Sequence, residues 1–149
     1  MSPAALLPAL LVLLAGGMIA IQAPTNAILA RAGGSPVLAA LISFAVGTVG
    51  LLIAWLATSN RPSPTAFAGL PWYAWLGGLY GATFVAVAAY AAPRIGLASL
   101  ITIGIAGQIA VALWLDHLGA LGLPREPINL GRIAGALLVM AGVVLVRRS

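Results

Sequence analysis

The sequence predicts an all-α integral membrane bundle of five transmembrane helices, and three observations carry that prediction. Of 149 residues, 62% are hydrophobic and only 6% are charged, against about 25% charged in an ordinary soluble domain. The charges are Arg31, Arg61, Arg94, Asp116, Arg125, Glu126, Arg132, Arg147 and Arg148, and they fall at or near the ends of long apolar runs. Several of the intervals between them reach the ~20 residues that a helix needs to cross a hydrocarbon core of ~30 Å. No soluble surface can be assembled from that composition.

The first span is placed at 3–30, with Pro24 interrupting it between Gln22 and Asn26, where the ring forbids a regular helical bond and a kink is expected. A cleavable signal is not expected there, because no basic residue precedes Arg31 and the apolar stretch exceeds an h-region of about 7–15 residues. The second span, 36–58, follows Gly33-Gly34-Ser35-Pro36, with Ser35 as cap and Pro36 in the first helical position. So short a turn makes the two helices antiparallel neighbours.

A loop opens at Asn60-Arg61-Pro62-Ser63-Pro64 and closes at Pro71, before the interfacial aromatics Trp72, Tyr73 and Trp75. The third span is 72–92, ending before Pro93-Arg94-Ile95-Gly96, and the fourth is 97–117. After a loop rich in Gly and Pro, Asn129 caps a fifth span, 129–146, which covers roughly 27 Å at 1.5 Å per residue with Arg132 snorkelling. Residues 1–149 are read as a single domain, with no internal repeat.

Five spans put the chain ends on opposite sides. Arg61, Arg125 and Arg132 then share the N-terminal side, and Arg31, Arg94, Arg147 and Arg148 the other. Orientation normally follows an excess of Lys and Arg on the cytoplasmic side, and three against four is almost none. Insertion in both orientations, giving an antiparallel homodimer with inverted-repeat symmetry, is one reading; a single dominant orientation is the other. The arginines sit singly and form no basic face, so lipid headgroups rather than nucleic acid are the expected partners. Without cysteine there is no disulfide and no thiolate metal site.

Polar residues inside a span must find a partner or line a wet cavity. Gln22 and Asn26 share one face of the first helix, with Thr25 beside them, and are read either as a ligand site or as amides that satisfy the backbone freed by Pro24. Tyr80, Thr83, Val87 and Tyr90 form a stripe on the third helix, which suits an organic solute through stacking, or else faces lipid. Gln108 and Asp116 share a row on the fourth helix. Asp116 is a candidate proton-coupling group, weighed against an interfacial hydrogen-bonding role beside His117. Gly77 and Gly81, and Gly131, Gly135 and Gly142, are expected to let helices approach closely, within the chain or across a dimer. No phosphate-binding loop and no metal-ligand cluster is present, so no cofactor, no metal and no enzymatic activity are expected.

The stretch Gly17 to Phe44, with Gln22, Asn26, Leu29-Ala30-Arg31, Gly34-Ser35-Pro36-Val37, Ala39-Ala40 and Ser43-Phe44, resembles the opening of the YdcZ-type transporters of the drug/metabolite transporter superfamily. Pro71-Trp72, Trp75-Leu76-Gly77-Gly78, Gly81, Pro93-Arg94-Ile95-Gly96, Ala106-Gly107-Gln108, Asp116-His117-Leu118-Gly119 and Gly131-Arg132 extend the resemblance in order and spacing over nearly the whole chain. It implies a five-helix unit equivalent to half of the ten-helix members, in a bacterial cytoplasmic membrane, which has to pair. Small multidrug resistance proteins of the same superfamily exchange protons for cations through a glutamate in the first helix. Gln22 and Asn26 occupy that region uncharged, so that mechanism is not expected here.

The combined expectation is a secondary transporter or facilitator that moves a small organic solute by alternating access. Its path would be lined by Gln22, Asn26, Tyr80, Thr83 and Gln108. The alternative is a structural or accessory membrane protein whose polar groups only join helices.

Overall fold

A computed structural model describes residues 3–59, 61–63 and 65–148, with side chains described between 6 and 146 of these. Asn60 and Pro64 of the expected first loop, and the side chains of Arg147 and Arg148, lie outside the described residues. The described chain is all helical: α1 Pro3–Gly33, α2 Pro36–Leu56, α3 Gly77–Ile95, α4 Leu97–Leu118 and α5 Leu130–Arg148, with short 3₁₀ turns at Trp72–Leu76 and Ala120–Gly122. Four segments are long and apolar enough to cross a membrane: Leu6–Gly33, Pro36–Leu56, Trp72–Ile95 and Leu97–Leu118. The apolar part of α5, Leu130–Val146, is shorter.

The helix starts follow the capping chemistry read from the sequence. Ser35 is extended and its hydroxyl accepts from the Leu38 amide at 3.2 Å, with Pro36 in the first turn where its missing N–H costs nothing. Asn129 does the same for α5, its Oδ1 accepting from the Arg132 amide at 2.9 Å.

Pro24 and Pro93 both stay inside their helices. Helix α1 runs unbroken for 31 residues through Pro24, and α3 runs through Pro93 to Ile95 instead of ending at Ala92. A proline removes one bond to the carbonyl four residues back. In hydrocarbon, leaving the helix would expose many more such groups, so continuing is the cheaper course. Side chains bond carbonyls next to those that the prolines free: the Thr25 hydroxyl donates to the carbonyls of Ile21 and Gln22, and the Arg94 guanidinium donates to the carbonyl of Tyr90. What ends α3 is Gly96, at φ 81°, a left-handed conformation that residues with a Cβ adopt only at a cost. The second helix ends at Leu56, two residues before the expected Thr58.

The chain divides into two compact units, Met1–Arg94 and Ile95–Ser149. In the first, α1 packs along α2, and α3 comes close to α2 at Gly81, where an added Cβ would lie 3.2 Å from the Phe44 ring. Its buried residues are small: Ala23, Asn26 and Ala27 of α1, Ala39 and Ala40 of α2, and Val85, Ala88, Ala89 and Ala92 of α3. Leucine, isoleucine and valine point outward instead, with Val12 and Leu13 each 71% exposed. That distribution suits a lipid solvent, in which large apolar side chains gain nothing by hiding and close backbone approach supplies the packing.

In the second unit α4 packs along α5, and the 3₁₀ turn after α4 folds against it. The intervening loop is held tightly to the end of α4. The amides of Gly119 and Glu126 both donate to the Asp116 carbonyl, Arg125 Nε donates to the His117 carbonyl, and the Ile128 amide donates to His117 Nδ1.

Candidate solute site

Helix α1 supplies the deepest polar group. Asn26 is only 3% exposed, and its Nδ2 has no hydrogen-bond partner among the described residues. An orphaned amide donor costs about 1–3 kcal/mol, and natural structures rarely keep one without a use. Gln22 lies one turn back on the same face, half-buried, and its side-chain amide makes no hydrogen bond among the described residues. Helix periodicity puts Ala23, Asn26, Ala27 and Ala30 on adjoining positions, so the amide sits in a floor of alanine rather than among bulky side chains. Helix α1 stays helical through Pro24, which still denies the Ala20 carbonyl its helical donor, so that carbonyl joins the two amides among the polar groups of this stretch.

The remaining candidates are unequal. Thr25 is exposed and its hydroxyl is spent on carbonyls of its own helix, at 2.8 Å to Gln22 and 3.2 Å to Ile21. Thr83 lines a groove of about 470 Å³ between α2 and α3, with Val37, Leu41, Phe44 and Val87 among its walls. Its hydroxyl also returns to its own helix, 2.9 Å from the Leu79 carbonyl, so the groove is almost wholly apolar. Tyr80 is 63% exposed and does not line the groove. Tyr90 lies under the Arg94 guanidinium, 3.7 Å from ring centre to Cζ. On α4 of the second unit, Gln108 is exposed.

Asp116 takes part in the polar knot that closes that unit. Its Oδ2 stands 3.2 Å from Arg132 Nη1, and Arg132 Nη2 stands 3.3 Å from Glu126 Oε2. Both acids of the chain are thus held by one arginine, at the surface end of α4. Among the described residues no group of three or more His, Asp or Glu side chains is placed to hold a metal ion.

The glycines separate by use. Gly81 makes the close approach to Phe44, and Gly131 meets only the Asn129 cap at 3.3 Å, whereas nothing lies within 4 Å of a Cβ built on Gly77, Gly135 or Gly142.

Sequence reasoning missed two arrangements. One is the Asp116–Arg132–Glu126 knot, whose only signal was that Asp116 ends one span, Glu126 lies in the following loop and Arg132 opens the next span. The other is a second cavity of about 230 Å³ in the first unit, lined by Arg31 and Arg94 together with Ala27, Ala30, Gly34, Pro36, Ala89 and Pro93. The assignment of both arginines to one side of the membrane was its only trace.

Helices that expose their large apolar side chains and bury alanine around an unpartnered amide define a multi-pass membrane protein with polar chemistry inside a span, the class to which helical transport proteins belong. The chain belongs to the family described as "Putative inner membrane exporter, YdcZ", whose sequence model matches residues 7–145. It is accordingly a multi-pass protein of the cytoplasmic membrane, and its family is one of transporters rather than of enzymes. The comparison with curated proteins gave no match. The comparison with solved structures gave none either.

Proposed function

We propose that this chain is a secondary transporter or facilitator for a small organic solute, and that Asn26 is the centre of its solute path. Supporting this is one observation above the others: a side-chain amide 3% exposed with an unsatisfied donor, on a helix face shared with Gln22 and alanines. Such a donor gains a partner when a solute carbonyl, carboxyl or hydroxyl enters, so binding recovers a cost already present in the empty protein. Gln22, one turn along, extends the path. Tyr80, Thr83 and Gln108 would join it in states that bring them to the same passage. Neutral amides fit a polar or amphipathic organic solute better than a bare metal ion.

In this reading residues 1–149 work as one five-helix domain, with α5 crossing the membrane as the fifth span. Two copies pair as an antiparallel homodimer, and rocking of one against the other alternates access to the path. Gly77, Gly135 and Gly142, open in the single chain, offer surfaces where backbones of two copies approach closely. Asp116, held by Arg132, would act as an interfacial tether more readily than as a proton carrier.

A second reading, a structural or accessory membrane protein, draws on the hydroxyls of Thr25 and Thr83, which serve only their own helices. Reconstitution separates the two. Liposomes containing the purified protein are expected to accumulate or release a member of a broad solute panel, and Gln22→Ala with Asn26→Ala to abolish that flux. A panel that neither binds nor moves, together with no growth phenotype for the double variant, would leave the accessory reading standing.

A further inference from the structure

The cavity lined by Arg31 and Arg94 sits where the chain turns from α1 into α2 and where α3 ends, and it shares Ala27 and Ala30 with the alanine face beside Asn26. Two guanidinium groups border one space of about 230 Å³. That is smaller than the ~300–1,000 Å³ of pockets that enclose whole drug-sized ligands, so it fits one charged group of a molecule rather than all of it.

Charge balance shows what kind of group. Residues 1–94 contain three arginines and neither aspartate nor glutamate. The chain's two acids, Asp116 and Glu126, are both held by Arg132. Each of the other arginines of the first unit has found backbone oxygen: Arg61 donates to the carbonyls of Leu56 and Thr58 at 3.0 and 2.9 Å, and Arg94 donates to the carbonyl of Tyr90. Arg31, in the last turn of α1, makes no hydrogen bond and no ion pair among the described residues. It does not cap its own helix, the ordinary use of an arginine at that position.

The helix ends at this level do not reverse the sign. The C-termini of α1 and α3 each carry about half a negative charge and the N-terminus of α2 about half a positive one. Two full positive charges outweigh that sum. The floor is apolar and permissive, made of Ala27, Ala30, Ala89 and Pro93. A guanidinium offers its N–H groups as a planar fork that matches two oxygens of a phosphate or a carboxylate.

We infer that the Arg31–Arg94 cavity binds an oxyanion at the membrane surface, a phosphate or carboxylate group held chiefly by the uncommitted fork of Arg31. The group can arrive on an anionic phospholipid headgroup or on a free anion in the aqueous phase, and the chemistry of capture is the same. The site stands apart from the transport reading, because it needs neither a solute path nor a dimer.

The test uses the purified full chain in a neutral detergent, with thermal stability and native mass spectrometry as readouts. Phosphatidylglycerol against phosphatidylcholine probes the headgroup source, and inorganic phosphate against chloride at equal ionic strength probes the free source. Binding of at least one anionic probe is expected. Arg31→Gln is expected to weaken it about tenfold, the worth of one charge-assisted pair, and Arg31→Lys to weaken it less, since it keeps the charge and loses the fork. Arg31 makes no hydrogen bond or ion pair among the described residues, so these variants should fold, and size-exclusion profiles matching the parent would confirm it. Arg125→Gln removes the same charge outside the cavity and is expected to leave binding unchanged. Response to phosphatidylglycerol alone assigns a headgroup, and response to phosphate as well assigns a site open to free anions. Absence of binding by both probes, or equal losses in Arg31→Gln and Arg125→Gln, would overturn the inference.

Discussion

Arg132 Nη1 lies 3.2 Å from Asp116 Oδ2, joining the first turn of α5 to the last turn of α4. The same guanidinium reaches Glu126 in the loop between them, both through its carboxylate and through its carbonyl. Asp116 also receives two backbone amides on its carbonyl. The acid that the sequence offered for proton coupling is thereby placed in a clasp at the membrane surface.

Because both ion pairs are partly exposed, the clasp contributes only about 1 kcal/mol or less. Arg132→Gln and Asp116→Asn are each expected to lower thermal stability in detergent slightly. The double variant should lose less than the sum, since the pair is broken by either change. A thermal double-mutant cycle checks this, and strict additivity would remove the clasp from the account.

At Gly81 the ring of Phe44 stands 3.2 Å from where a Cβ would be. Gly81→Ala should be absorbed by a small movement of the ring, while Gly81→Ile should overpack the approach of α3 to α2 at a cost of about 1–3 kcal/mol. Trimming the ring with Phe44→Leu in the same chain should recover part of that loss. Chemical and thermal unfolding of the three variants reads the result.

Gly119 has φ 62°, and an added Cβ would meet Arg125 Cβ at 3.0 Å and Arg125 Cα at 3.3 Å. Backbone in that position cannot yield cheaply, so Gly119→Ala should cost at least the ~1–2 kcal/mol of a left-handed residue. By contrast Gly135→Ala and Gly142→Ala meet no atom within 4 Å in the single chain. They should leave the monomer as stable or slightly more so, and weaken association if two copies pack there. Unfolding and mass photometry at graded protein concentration separate these effects.

Asn26→Ala removes an amide whose donor is unpaired. A residue kept for structure would be missed on removal. This one should leave stability unchanged or raised, since the variant discards a penalty of about 1–3 kcal/mol, while solute flux falls. Parallel melting curves and liposome flux from the same preparation check both halves.

Much of the fold was legible because lipid leaves few options. Long apolar intervals, the Ser35-Pro36 start and the Asn129 cap placed helix boundaries to within about three residues, except that α3 opens at Gly77, five residues after the expected Trp72 and behind a 3₁₀ turn. Pro93 misled because a proline breaks one bond, and in hydrocarbon a helix that loses one bond still satisfies more backbone than any alternative. Gly96, a residue whose left-handed φ no periodicity announces, carried the true stop. Asn26 was legible as a candidate because amides in a span are costly. The meeting of Arg31 with Arg94 was not, since it depends on how α1, α2 and α3 come together rather than on any spacing along the chain. Spacing also put Gly77 and Gly81 on one face without saying that only Gly81 finds a neighbour.

The chain has no cysteine, so a single introduced thiol reports on its own surroundings. The central claim is that water and solute reach Asn26 within the membrane, and thiol accessibility measures that without knowledge of the substrate. Asn26→Cys in intact membranes is expected to react with a small, charged, membrane-impermeant methanethiosulfonate reagent, while Val12→Cys, on the outward apolar face, does not. An Asn26→Cys thiol as inert as that at position 12, in protein that labels fully once denatured, would contradict the account.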